Sequence, residues 1–261
     1  MEQKLAFTVD DTKEGDVLLI LYKGFVSTLI ALLDDCVYSH SAYYNGKDVL
    51  GVIRTGLAAQ GLADTLADDD ALIVDVFRFY GDNGNPAAEM GSPDWPVAPV
   101  TAVAEKYAKS GVSYAFNDLY YYWVLILLHN LPKSAEDRKK LWFVINAIAF
   151  TADQADPKLH TGMICSEFVS RLFLENDAFP RYALQFADCY QIPGPPDQEF
   201  AAAYKIASDA LAVVNPALLA KIQAARQGSV SAFTPELVTP NTLRQSPSLK
   251  FQGRLKGVGG P

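Results

Sequence analysis

The chain has 261 residues, of which 50% are hydrophobic and 20% are charged, so it has enough apolar material to bury a substantial core. This composition excludes an intrinsically disordered protein. The formal net charge of -8 argues against broad nucleic-acid binding, and we expect no nucleic-acid partner.

The first third of the chain alternates between apolar segments and turns. Residues 1–4 lack the apolar core of a signal peptide, which predicts a protein that is cytoplasmic in the producing cell unless a signal-independent machine exports it. Strands are predicted at residues 15–21, 37–44, 48–54 and 72–80, a short helix at 24–33 and a loop at 57–70. Asn45-Gly46 is a strong hairpin signal and joins the second strand to the third.

The middle of the chain is more apolar than either end. The pattern predicts a long loop at 81–99, a helix at 101–110 closed by Gly111, and a helical hairpin from two apolar runs, 119–131 and 141–150. Each run is too short to span a bilayer as a helix. Residues 199–226 are predicted to form one or two helices, and the tail after Gly253 is predicted to be mobile.

A cysteine opens the helix predicted after this hairpin. Cys165 follows Gly162, and Phe168, Leu172 and their neighbours continue with helical spacing. A thiol at a helix N-terminus is favoured as thiolate by the helix dipole, and a thiolate with a histidine in reach is a nucleophile. The alternative is a buried structural thiol, since free cysteines are among the most buried residues.

Three histidines could serve as the base: His40, His129 and His160. His40 lies within a predicted strand. If Asn45-Gly46 forms a two-residue turn, His40 faces Gly51 on the next strand, where the small residue leaves room for another group. The alternative for His40 is a half-buried histidine bonded to backbone.

The other cysteines, Cys36 and Cys189, lie far from Cys165 in the sequence. Their spacing supports neither a disulfide framework nor a cysteine-based zinc site. We therefore expect no metal and no cofactor. Of the three thiols, Cys165 is the one predicted to be essential.

Several short motifs occur in the order found in one known family. They are Gly15-Asp16-Val17-Leu18, Ser39-His40-Ser41-Ala42-Tyr43, Tyr107 and Tyr114 with Asn117-Asp118, Cys165-Ser166-Glu167-Phe168-Val169, and Thr239 to Pro247 near the end. With the histidine strand before the cysteine helix, the chain resembles the circularly permuted NlpC-type papain-like hydrolases. This group includes YiiX-like and YebB-like proteins and, more distantly, lecithin:retinol acyltransferase-like enzymes.

The resemblance implies an α+β class and a permuted papain-like fold, in which a small antiparallel sheet packs against helices. It implies a single domain over 1–261, with 119–150 as an apolar helical-hairpin insertion and 199–261 as a helical extension and tail. Cys165 matches the nucleophile and His40 the general base. The family's third polar residue, about a dozen positions after the histidine, has no match, because 50–54 contains no acid or amide. The third member is therefore unknown.

The implied chemistry is acyl transfer through an acyl-enzyme on Cys165. We favour a phospholipase-like acyl hydrolase or acyltransferase acting on a membrane lipid, with Tyr122, Trp123 and Trp142 of the apolar insertion binding substrate, because such aromatic clusters suit membrane interfaces. A cell-wall peptide amidase or cysteine peptidase and an inactive binding scaffold are the alternatives. A bacterial antibacterial effector with a cognate immunity or inhibitor protein would also fit a chain without a signal peptide.

Overall fold

The structure is a computed structural model that describes residues 7–24, 27–28, 30–31, 34, 36–53, 55–112, 163–186 and 235–257, with scattered helical positions between 205 and 223. Several predictions fall outside these residues: the hairpin at 119–150 with Tyr122, Trp123 and Trp142, the histidines His129 and His160, and Cys189. The hairpin and its aromatic side chains therefore stay predictions.

Among the described residues, six strands form one open sheet in the order β4-β3-β2-β1-β5-β6. The strands are β1 (Val17–Tyr22), β2 (His40–Tyr44), β3 (Asp48–Ile53), β4 (Gly56–Gly61), β5 (Ala71–Phe79) and β6 (Leu249–Lys256). Every pairing between neighbours is antiparallel. The α+β class and the antiparallel sheet are confirmed, and the permuted papain-like arrangement stays a prediction.

Short helices accompany the sheet. Those with defined bounds are α1 (Leu62–Ala67), α2 (Gly81–Gly84), α3 (Ala98–Ser110), α4 (Cys165–Leu174) and α5 (Pro240–Gln245), with 3-10 turns at Val9–Asp11, Pro86–Ala88 and Pro235–Leu237. α3 ends at Gly111, whose φ of 70° is left-handed, as the glycine predicted. It begins three residues earlier than predicted, with a proline in its first turn.

Two local predictions are wrong. The predicted loop at 57–70 contains β4 and α1, because β4 pairs with β3 over its whole length although its sequence has weak strand propensity. The segment 199–261 was predicted to be a helical extension and tail, yet Leu249–Lys256 is β6 and pairs with β5. Its apolar and basic residues alternate with the period of a strand, and Gly253 lies within the ladder rather than ending the fold.

The core lies mainly between the sheet and α4. Four apolar side chains of α4 are completely buried against one sheet face: Phe168, Val169, Leu172 and Phe173. A second, smaller apolar cluster covers the other face, around Leu18, Ile20 and Val76 with Leu62 of α1. Alternate residues of β1 thus point into different clusters, and apolar burial on both faces positions the strands.

A buried ion pair anchors the start of β1 to β5. The Arg78 guanidinium donates to both carboxylate oxygens of Asp16, at 2.7 and 2.9 Å, and to Glu89 at 3.1 Å. A further N–H donates to the Asp11 carbonyl at 3.1 Å. Since Asp16 and Arg78 are both buried, removing one partner leaves the other charge poorly solvated.

We expect Asp16→Ala to lower the free energy of unfolding by about 3 kcal/mol or more, because Arg78 would remain buried with only Glu89 to compensate its charge. Urea denaturation measures this. The control is Lys109→Ala, which removes an exposed ion pair with Glu105 and should have little effect. Equal losses in the two variants would contradict the structural role assigned to Asp16.

Candidate active site

Cys165 is the first residue of α4. Ile164 precedes it with extended backbone, and its N–H lies 3.5 Å from Glu167 Oε2. The Ser166 hydroxyl donates to the Val238 carbonyl at 2.6 Å, which ties the first turn of α4 to the segment before α5. The helix start that holds the thiol is therefore fixed by the side chains of its own first turn.

One arginine links α4 to its neighbours. Arg171 donates to Glu167 at 2.8 Å, to Glu175 at 2.7 Å and to Glu236 at 2.9 Å. The Tyr107 hydroxyl, on α3, donates to the second oxygen of Glu175 at 2.6 Å. These contacts hold α4 against α3 and against the turn at Pro235–Leu237, which restrains rotation of the helix that carries Cys165.

One backbone N–H of β2 lies outside the sheet's hydrogen bonding and faces the Cys165 thiol. Hydrogen bonds along an antiparallel strand alternate between its two neighbours. The Tyr44 N–H donates to the Asp16 carbonyl, on the β1 side, so Ser41 directs its N–H toward β3. The β2–β3 ladder ends at the Tyr43–Leu50 pair, short of Ser41. The Ser41 N–H donates to the Cys165 thiol instead.

His40 lies next to the same thiol, and its ring hydrogen-bonds to Cys165. Tyr22 of β1 meets the imidazole edge-on, with 5.6 Å between ring centroids. Gly51 of β3 lies against the ring, since a Cβ at Gly51 would stand 2.9 Å from His40 Nε2. The structure therefore brings together the two residues that the sequence singled out, with a glycine leaving room for the imidazole.

The predicted hairpin register is wrong by two residues. A two-residue Asn45-Gly46 turn would pair Tyr43 with Asp48, whereas Tyr43 pairs with Leu50. The Asn45 side chain accepts from the N–H groups of Lys47 and Asp48, at 3.0 and 2.6 Å, and moves the turn toward the C-terminus. Because the shift is even, every side chain keeps its predicted face.

Opposing effects set the pKa of the Cys165 thiol. Burial raises it, while the charge and hydrogen bond of His40 and the donors of Ser41 lower it, and the lowering prevails. Burial also raises the pKa of Tyr22 to about 12, with smaller contributions from Asp68 and Cys165. Tyr22 thus keeps its proton at neutral pH. His40 and Ser41 therefore stabilise the thiolate form of Cys165.

Within the described ranges, no polar side chain next to His40 matches the third residue that the resemblance implies. There, no carboxylate or amide side chain hydrogen-bonds to His40. On β3, Leu50 and Val52 pack in the core under α4. Sequence reasoning missed Ser41, although its position carries a signal: it alternates with the buried Tyr43, so a polar side chain stands on the core-facing side of β2.

Cys36 occupies a different environment. It is partly buried, and burial raises the pKa of its thiol, with a backbone hydrogen bond from Tyr38 and the charge of Arg244 opposing that rise.

In the described part of the chain, no three His, Cys, Asp or Glu side chains are grouped so that they would hold a metal ion. Within the same ranges, no helix has the length and hydropathy needed to cross a membrane.

Comparison with known proteins yields distant likenesses among solved structures. No family model matches the chain, and no curated protein matches it. Among solved structures, the chain is similar to the crystal structure of the metalloprotein YiiX from Escherichia coli O157:H7, with 13% sequence identity and a TM-score of 0.46. The similarity covers 94% of this chain and 98% of that one.

We expect His40→Ala to raise the pH at which Cys165 ionises by about 1–3 units, because a nearby opposite charge is lost while burial remains. The measurement is the iodoacetamide alkylation rate of the Cys165 peptide against pH, followed by mass spectrometry. The Cys36 peptide in the same digest is the internal control and should keep its profile. An unchanged Cys165 profile would contradict the ion pair.

Gly51→Ala tests the space beside the imidazole. The new Cβ would lie 2.9 Å from His40 Nε2 and 3.3 Å from the Ala42 Cβ, so the ring must move. We expect slower alkylation of Cys165 at neutral pH with cooperative unfolding retained. Gly61→Ala, whose Cβ would meet only the Asp64 carboxylate, is the matched control. Equal rates in the two variants would show that His40 does not depend on this glycine.

Proposed function

We propose that this protein is a thiol acyl hydrolase or acyltransferase of the permuted NlpC, papain-like type, using Cys165 as nucleophile and His40 as general base. The observation that supports this most directly is the hydrogen-bonded contact between a buried thiol at a helix start and an imidazole, with the thiol pKa below its ordinary value. A structural thiol in a core would have its pKa raised by burial, as Cys36 does.

In the acylation step, the Cys165 proton passes to the His40 ring and the sulfur attacks the carbonyl carbon of the substrate. The carbonyl oxygen becomes an oxyanion. N–H groups in the first turn of a helix have no intrahelical acceptor, and the backbone N–H of Cys165 supplies a donor for this charge. Collapse of the intermediate breaks the bond to the leaving alcohol or amine, which takes the proton from His40.

In the deacylation step, His40 removes a proton from water or from a second acceptor, which attacks the thioester carbonyl. The sulfur leaves as thiolate, the form that its neighbours stabilise. Water as acceptor gives hydrolysis, and an alcohol or amine gives acyl transfer. Atoms and charge balance in either case without a further reactant.

A membrane lipid is the proposed substrate class. Ile53, the last residue of β3, has a side chain that is 41% exposed. Val37, just before β2, is 52% exposed. Exposed apolar side chains at the His40 end of the sheet suit an acyl chain better than a polar cell-wall peptide. The apolar insertion predicted at 119–150 supports the same choice and makes a membrane surface the proposed partner.

Purified protein should release fatty acid from phosphatidylglycerol-containing vesicles. Cys165→Ala should reduce release to the uncatalysed background, and His40→Ala should slow it by about 10²–10⁴-fold, as expected for loss of general acid–base catalysis. Cys36→Ser is the matched control and should retain the wild-type rate, because burial raises the pKa of its thiol.

Other outcomes separate the alternatives. Cleavage of peptidoglycan fragments, with vesicles untouched and the same dependence on Cys165, would replace the lipid substrate by a peptide amide. Full activity of Cys165→Ala on either substrate would overturn the nucleophile assignment. Binding of vesicles without any turnover would favour a scaffold.

A further inference from the structure

Ser41 is a buried polar residue whose hydroxyl makes no hydrogen bond of ordinary geometry within the described residues. The residue is 0% exposed, and its hydroxyl lies close enough to the Cys165 sulfur to lower the pKa of the thiol. It stands on the core-facing side of β2 and beside Cys165. Its backbone N–H, beyond the end of the β2–β3 ladder, is directed at the same sulfur.

The other serines that are buried as whole residues in the described ranges all use their hydroxyls. Their partners are backbone groups: Ser39 with Ile20 and Tyr22, Ser166 with Val238, Ser170 with Ser166, and Ser246 and Ser248 with Gln185. Ser41 is thus the exception among the fully buried serines of the described residues. A buried hydroxyl without an ordinary hydrogen bond destabilises the fold, so Ser41 is a candidate for a role outside folding.

The chemistry of sulfur explains why the hydroxyl makes no ordinary hydrogen bond to a neutral thiol. A neutral thiol is a weak acceptor, whereas a thiolate accepts hydrogen bonds strongly. When the Cys165 S–H bond breaks and the proton moves to His40, the sulfur gains a full negative charge next to Ser41. The hydroxyl then has an acceptor, and Ser41 keeps its own proton throughout.

We propose that Ser41 is a further catalytic residue, whose hydroxyl and backbone N–H together form a two-donor cradle for the Cys165 thiolate. This inference rests on the acyl-transfer function proposed above and names the group that stabilises its nucleophile. In the described structure the ion pair has no carboxylate or amide behind the imidazole. Ser41 stabilises the pair by donating to the Cys165 sulfur, whereas a carboxylate or amide would bond to the His40 ring.

The groups that face the thiolate from neighbouring elements agree with this assignment. His40 on β2 supplies positive charge, and Tyr22 on β1 is a protonated phenol at neutral pH. Asp68, after α1, acts on Tyr22. Among the described residues, the donors that lower the pKa of the thiol are the His40 ring and the hydroxyl and N–H of Ser41.

Ser41→Ala removes the hydroxyl and keeps the backbone N–H. We expect the pH midpoint for iodoacetamide alkylation of Cys165 to rise by about one unit, which corresponds to an approximately tenfold slower reaction below the midpoint. The matched control is Ser170→Ala, which removes an equally buried hydroxyl from α4 that bonds to the Ser166 carbonyl. Its alkylation profile should match the wild type.

Thermal unfolding in a moderately acidic buffer, where the thiol is protonated, distinguishes a structural serine from a catalytic one. The two roles predict opposite changes in the unfolding temperature when the hydroxyl is removed. A structural serine loses stability when truncated, and Ser170→Ala should unfold at a lower temperature than the wild type. Ser41→Ala should unfold at the same temperature or a higher one, because it removes an unsatisfied buried group. Destabilisation of Ser41→Ala together with an unchanged midpoint would overturn the proposal.

His40→Ala in the same assays separates this inference from the proposed function. A raised midpoint in His40→Ala with an unchanged midpoint in Ser41→Ala leaves the Cys–His nucleophile intact and overturns the role of Ser41. Unchanged midpoints in both variants overturn both. Raised midpoints in both variants, with the vesicle activity of Ser41→Ala reduced about tenfold, support both.

Discussion

The site depends on the contact between the first residue of α4 and β2, at the point where β2 parts from β3. Apolar burial makes that contact: each fully buried Phe or Leu of α4 contributes roughly 1.5–3 kcal/mol, which far exceeds what one thiol hydrogen bond adds. The helix therefore sits where its apolar stripe fits the sheet. The position of Cys165 follows from that packing, and the shortened β2–β3 ladder leaves the Ser41 N–H facing it.

Buried charge connects distant parts of the chain to the strand that holds His40. The Tyr38 hydroxyl, two residues before His40, donates to Asp75 at 2.6 Å, and Arg254 donates to both oxygens of the same carboxylate at 2.7 and 2.8 Å. Since Arg254 belongs to β6, the C-terminal strand supports the entry of β2. The three donors to the buried Asp75 carboxylate favour this packing of β2 and β6, because another packing would leave the carboxylate without hydrogen bonds.

Much of the site followed from local sequence. The glycine and apolar spacing around Cys165 predicted the helix start, and the strand pattern predicted that Gly51 lies beside His40, although the register that would pair them directly is wrong. The errors have causes that the pattern of a single segment does not show. The Asn45 side chain moves the turn, β4 and β6 form because partner strands are available, and the exposure of the Ser41 N–H to Cys165 depends on where the β2–β3 ladder ends.

The most direct test of the account is capture of the acyl-enzyme. Protein mixed briefly with vesicles of a phospholipid carrying one defined acyl chain is quenched in acid, digested and examined by mass spectrometry. The account predicts one acyl group on the peptide that contains Cys165, removed by hydroxylamine as expected of a thioester, and absent from Cys165→Ser digests after the same treatment. Fatty acid release with no acyl group on Cys165, or with the group on Cys36, would contradict it.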